Sequence, residues 1–243
     1  SSSSSSSSSH RHTVLGIVPR PLVHSHNLLH RGIGVVVTRG TPILLPAQQP
    51  QEKVKLPALY THRRTSTKRI FPSLYDMFVG GVSGANEDST CTVLRELQEE
   101  LNLGNPHHLS SSALFDCTVC TSYNRCHVTV FEYTCSPEEE SHIQWQKEEV
   151  AWGEFVPYDI IEKAASYSIQ RFQQSKTWPG TYPDYDDRTK DSQSHGDDGV
   201  VAVVEQTKTP EHTTIEEDWK HWDFVPDGLL VWNAWVQWYN TKL

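Results

Sequence analysis

The sequence predicts an α/β fold, a sandwich with helices covering both faces of a central mixed β-sheet. Three observations carry this. Short β-branched runs flank residues 89–101 on both sides. That segment lacks Pro and Gly and places Val93, Leu97 and Leu101 at i, i+4, i+8, the apolar stripe of an amphipathic helix. A second helical pattern follows the last strand, so both sheet faces can be covered.

Taken in order, the chain opens with nine serines and has no acidic residue before Glu52, while Arg11 and Arg20 are present. Residues 1–27 therefore read as a disordered leader without chemistry, either low-complexity sequence or part of a transit peptide. The first reading places the protein in the cytoplasm, the second in an organelle. Residues 28–243 form the folded domain. Gly32–Thr38 is a β-branched strand, Pro42–Leu45 a second short one, Pro46–Lys55 a loop and Ala58–Arg64 a further strand. Asp76–Val82 leads into a glycine turn, and Ser89–Leu101 is the helix. Residues 113–121 and 125–134 alternate as a hairpin around Ser122, Tyr123 and Asn124. Val150–Val156 is a strand and Asp159–Gln173 a helix.

Residues of about 176–221 interrupt this pattern with Pro179, Gly180, Pro183, an acidic run and Gly196–Gly199. They read as a loop insertion, a solvated surface or a cover over the site, with a short strand at Val200–Val204. From Pro226 to Tyr239 the chain is apolar nearly all round, which predicts a helix buried in the core or in a homodimer contact. Trp219 and Trp222, just before it, are aromatic pocket candidates.

Composition narrows the classes. A chain of 243 residues with 36% hydrophobic residues can build one sizeable core. No apolar run approaches the roughly 20 residues of a membrane span. A net charge of −9 speaks against a basic surface for a nucleic-acid polymer, while leaving room for a small nucleotide in a local pocket. Five cysteines, an odd number, do not form a disulfide framework. Cys117 and Cys120 have the spacing of a metal or redox pair, yet no second such pair exists, and buried reduced thiols are the simpler reading.

The chemistry sits between Gly81 and Leu103. A glycine turn, Gly81 to Glu87, precedes the helix, on which Glu96, Glu99 and Glu100 project from neighbouring positions. Like charges so placed cost roughly 0.2–0.5 kcal/mol per pair in an isolated helix. Either the face is simply solvated and eased by an Arg95–Glu99 pair, or it holds a hard cation such as Mg²⁺ or Mn²⁺ together with substrate phosphate oxygens. The whole pattern resembles the Nudix signature. Gly81, Glu87, Arg95, Glu96, Leu97, Glu99, Glu100 and Leu103 stand where that signature requires them. Asn102 replaces its last glycine, and Asn is well able to end a helix in the left-handed conformation.

The resemblance implies the Nudix α/β/α sandwich and metal-assisted attack of water on a small-molecule diphosphate. It implies Glu96, Glu99, Glu100 and the Gly81 carbonyl as metal ligands, with Arg95 orienting the carboxylates and Glu87 supporting the turn. The general base is Glu96 or, failing that, Glu149 on a later loop. Outside the box, Leu29–Arg31, Thr61–Arg64 with Lys68, Phe71–Pro72, Leu74–Asp76 before Gly80 and Gly81, Phe155–Pro157 and Phe224–Asp227 resemble the Nudix subgroup related to isopentenyl-diphosphate isomerase. Arg64 and Lys68 fall where that subgroup has its Arg and Lys. With His62, Arg63 and Arg69 they read as a basic cluster suited to phosphate. The isomerase itself has a cysteine just before the box glycine, a metal-binding histidine soon after and a catalytic Glu on the next strand. Gly80, Val82 and the run Tyr123–Cys126 occupy those places here, which argues against isomerisation, and the intact Arg95, Glu96, Glu99 and Glu100 favour hydrolysis, with silent binding of a diphosphate as the other alternative.

Overall fold

The computed structural model describes residues 14–40, 57–68, 70–175 and 219–242. Strand β1 (His30–Arg39) is the spine of the molecule. It pairs in parallel along its whole length with β6 (Arg125–Cys135), which forms an antiparallel hairpin with β5 (Phe115–Cys120). On its other edge β1 meets β2 (Leu59–Arg64) only at Thr38, opposite Leu59. Residues 75–82 wedge between the two: β3 (Tyr75–Asp76) pairs with β2, then β4 (Val79–Val82) pairs with β1. β7 (Val150–Val156) completes the sheet outside β2.

Both faces are covered. Helix α2 (Ser89–Leu101) lays Val93, Leu97 and Leu101 onto Ile33, Val35, Val37, Tyr60 and Phe155. The opposite face packs Val36, Leu59, Val128 and Val130 against α4 (Tyr158–Ser175) and α5 (Pro226–Asn240), through Ile161, Ala164, Leu229, Trp232 and Trp235. A strand buried on both faces carries few polar side chains, which is why the middle of β1, residues 32–37, reads Gly-Ile-Gly-Val-Val-Val. The expected α/β/α sandwich with a mixed sheet is the observed one.

Several expectations need adjusting. Within the supposed leader, Arg20–Ser25 forms a short helix, α1, and Asn27 donates its side-chain amide to the carbonyl of Thr121 at 2.9 Å. The expected strands at Pro42–Leu45 and Val200–Val204 lie outside the described residues, as does Arg69. The stretch expected as insertion ends before its supposed limit, because Trp219–His221 is a 3₁₀ turn with Trp219 buried. Trp222 is 3% exposed and stacks on Tyr75 at 4.6 Å, so these two tryptophans are core residues and not pocket walls. A four-residue helix, α3 (Pro137–Glu140), was not anticipated either.

Candidate active site

The Nudix box is built from the turn upward. Asp88 caps α2 by accepting from the Cys91 amide at 2.8 Å. Asn102 ends the helix at φ 58°, and the Leu103 and Asn102 amides return to Leu97 and Gln98. This is the left-handed ending expected of Asn in place of Gly. Before the helix, Glu87 closes the turn by accepting from the Gly84 amide at 2.8 Å. Arg95 then ties turn to helix: its Nε donates to Glu87 at 2.9 Å, and its Nη1 donates to Glu96 at 2.7 Å and to Glu99 at 3.3 Å. Arg95 thus contacts three carboxylates.

Glu96 is seated directly on β4. A Cβ at Gly81 would fall inside the Glu96 carboxylate, so only glycine leaves room for it. A Cβ at Gly80 would stand 2.9 Å from the Ile33 carbonyl oxygen, which explains the second glycine. Burial raises the carboxyl of Glu96 above the usual range, and the charge of Arg95 pulls it back.

Glu100 faces differently. It is 8% exposed, and its pKa is pushed up to about 8, first by burial and then by the charges of Glu96, Glu149 and Asp76. The expected ligands Glu96, Glu99 and Glu100 are therefore neighbours divided between two partners, with the first two turned to Arg95. Among the described residues no group of three or more His, Cys, Asp or Glu side chains forms a ready-made metal cage.

Glu149 lies close enough to add its charge at Glu100, and its loop is fixed there because the Gln146 amide donates to the Glu100 carbonyl at 3.1 Å. Its side chain forms an ion pair with Lys68. Lys68 is carried on a tight loop in which Phe71 and Ser73 take positive φ values of 52° and 63°. A bulky residue in that region is strained, and here the Ser73 amide bond to Thr65 and the Arg64 bond to Ile70 hold it in place. Arg64 donates one Nη to the Ile70 carbonyl at 3.1 Å, while its Nε is buried without a partner among the described residues. Its charge reaches Glu100, Asp76 and Asp227.

One expectation about this region is corrected. His62 is not part of a basic cluster: it is 4% exposed, and burial together with Arg64 and Lys68 lowers its pKa to about 3, leaving a neutral ring. Arg20, in the segment expected as leader, adds a small charge effect that lowers the carboxyl of Glu96. Sequence reasoning also missed the weight of Asp76 and Asp227. The only signal for them was their place in the subgroup-like runs Leu74–Asp76 and Phe224–Asp227.

The arrangement presents oxygen donors around a buried excess of negative charge, with Arg64 and Lys68 at its margin. Comparison with known proteins identifies the family. A family profile described as NUDIX domain matches residues 28–174. An uncharacterized Nudix hydrolase of Streptomyces coelicolor is 38% identical over 152 residues, covering 61% of this chain and 71% of that protein. A second, from Rhodococcus erythropolis, is 32% identical over 124 residues, covering 49% of this chain and 60% of that protein. The solved MutT protein of Methanosarcina mazei Go1 is 13% identical with a TM-score of 0.42, over 61% of this chain and 96% of that one. On the profile match and the Streptomyces relative, the chain belongs to the Nudix family and is a Nudix hydrolase, an enzyme that cleaves pyrophosphate linkages.

Proposed function

We propose that the chain hydrolyses the diphosphate linkage of a nucleoside diphosphate joined to a group X, or of a related organic diphosphate, with Mg²⁺ as its cation and Mn²⁺ as a substitute. The observation that carries this is the buried Glu100, whose charge is disfavoured by three neighbouring carboxylates and only partly offset by Arg64. A hard divalent cation relieves that repulsion, and an all-oxygen donor set suits it. Glu96, Glu99, Glu100 and the Gly81 carbonyl would hold it. When bound, it supplies charge neutralisation at the phosphate oxygens and a more acidic water.

The remaining work falls to the chain itself. Arg64 and Lys68 grip phosphate oxygens from the margin, Arg64 with the Nε that has no partner among the described residues. Arg95 aims the carboxylates, and Glu87 keeps the turn closed. Glu96, already raised by burial, takes the proton of the attacking water. Glu149 is the second choice of base, because Lys68 already occupies it. The relationship to the isomerase-like subgroup belongs to the same reading, supported by where Arg64 and Lys68 stand. Isomerase chemistry does not: Gly80 has no side chain, and Cys126 is a buried thiol pushed up to about 12.

The test is hydrolysis across a panel of nucleoside diphosphate derivatives and isoprenoid diphosphates, with and without Mg²⁺, for wild type and Glu96→Gln. Metal-dependent release of phosphate or nucleotide that falls at least about 100-fold in the variant supports the reading. Binding without turnover would overturn it.

A further inference from the structure

The turn that carries the chain from β4 into α2 is held from outside by a residue the proposed hydrolysis does not use. Inside the turn, the Glu87 amide donates to the Gly84 carbonyl at 3.2 Å and the Gly84 amide to the Glu87 carboxylate at 2.8 Å. These bonds shape the turn without tying it to the sheet. Arg95 reaches the Glu87 carboxylate, but it stands on α2 itself and moves with that helix. Arg31, at the start of β1, comes from the sheet. Its carbonyl accepts from the Ser83 amide at 3.0 Å, where the turn begins, and its Nη2 donates to the Glu87 carbonyl at 3.0 Å, where the turn ends. Among the described residues, that side-chain bond is the one hydrogen bond joining residues 84–88 to the sheet. By strand alternation Arg31 shares a face with Ile33, Val35 and Val37, the face that α2 covers.

Helix stability does not account for this contact. Asp88 is the N-cap of α2, so a guanidinium bound at Glu87 stands at the positive end of the helix dipole, where a cation is disfavoured. Position accounts for it better. Val93, Leu97 and Leu101 hold α2 on the sheet by apolar contact, which is non-directional and leaves the helix free to slide by a fraction of a turn. Glu96 has no such latitude, because it must meet β4 at Gly81, in a space where even a Cβ would collide with its carboxylate. A directional bond at Glu87 fixes where the helix begins. Glu96 then follows eight residues after the cap, about 12 Å along the axis.

We propose that Arg31 is a positioning residue of the Nudix site: its guanidinium pins the end of the glycine turn to β1, sets the start of α2 and so seats Glu96 against Gly81. This rests on the reading of α2 as the site of diphosphate hydrolysis. In that role Arg31 touches neither cation nor substrate, and acts only through the turn.

The test compares wild type with Arg31→Met, which keeps an apolar stem and loses every donor, and Arg31→Lys, which keeps the charge and loses the planar fork. Three readouts are taken: steady-state kinetics on the panel compound that wild type turns over fastest, Mn²⁺ binding by electron paramagnetic resonance, and amide hydrogen exchange. Arg31→Met should lower kcat by roughly 10- to 100-fold with KM within about twofold. Mn²⁺ binding should weaken by about 10-fold. Exchange should quicken at residues 84–91 and nowhere else, with the melting temperature little changed. Arg31→Lys should recover part of each loss, and it carries the comparison by the same readouts if Arg31→Met does not fold. A lower melting temperature with kcat and local exchange intact would make Arg31 merely structural and overturn the proposal. A rise in KM with kcat intact would overturn it too, by making Arg31 a substrate contact. If wild type neither binds Mn²⁺ nor turns over any compound, the hydrolysis reading fails and exchange alone decides: quickening confined to 84–91 upholds the pin, and unchanged exchange removes it.

Discussion

Glu96 owes its position to the absence of a single methyl group. Because a Cβ at Gly81 would occupy the space of its carboxylate, Gly81→Ala should displace Glu96 while leaving the apolar stripe of α2 in place. We expect activity to fall by about 100-fold or more with little change in far-ultraviolet circular dichroism; unchanged turnover would show that Glu96 does not act from this position. Glu87 carries a pH signature. Hydrogen bonds from Arg95 and the Gly84 amide lower its pKa from 4.5 to about 2. A carboxyl depressed on folding stabilises above its unfolded value and loses that contribution as pH falls toward its folded one. Glu87→Gln should therefore cost on the order of 1 kcal/mol near neutrality, discounted for partial exposure, and converge with wild type near pH 2 in thermal melts. At this scale the box residues were legible because their spacing in sequence is also their spacing in space. Arg20, Asp76 and Asp227 were not, since they meet the box only after the chain has folded back. His62 was misread as a cation because burial, which keeps it neutral, leaves no local trace in sequence.

Helix α2 was legible to the residue because it lacks Pro and Gly, carries an i, i+4, i+8 apolar stripe and ends at a residue tolerant of the left-handed region; its side-chain cap, Asp88, emerged only from the structure. Asp88→Ala removes that cap and should destabilise by about 1 kcal/mol, measured by chemical denaturation. Because the cap lies beside Glu87 and about two turns before Arg95, turnover should fall with stability. Strands β1, β6 and β7 were also legible from their β-branched composition. The wedge of β3 and β4 was not resolved into two strands. Its change of partner depends on β1 and β2 diverging beyond the Thr38–Leu59 contact, a tertiary fact. Helix α1 escaped notice because six residues with exposed apolar side chains carry no amphipathic period.

For the molecule as a whole, the family match ends at residue 174, but the core does not. Phe224, Leu229 and Trp235 are each at most 1% exposed and close the sheet face opposite α2. A chain ending at Ser175 should be insoluble or molten, as a loss of cooperative unfolding would reveal. Trp235→Ala, at 0% exposure, should cost about 3–5 kcal/mol and lower the melting temperature by roughly 10 °C. A smaller loss would mean that the site collapses to fill the void.

Residues 220–223 return to the sheet under a specific clamp. Arg171, near the end of α4, donates to the Lys220 carbonyl at 2.7 Å, to the Trp222 carbonyl at 2.6 Å and to the Asp223 carboxylate at 2.6 Å. The Tyr75 amide then binds the Asp223 carbonyl at 2.9 Å, and the Val225 amide binds the Tyr75 carbonyl at 2.8 Å. The two ends of the intervening chain are thus stapled together by contacts that do not involve it. Arg171 is the rivet that fastens the chain entering α5 to α4, and Arg171→Ala should let that chain lift from the sheet, seen as a lower melting temperature with the helix content unchanged.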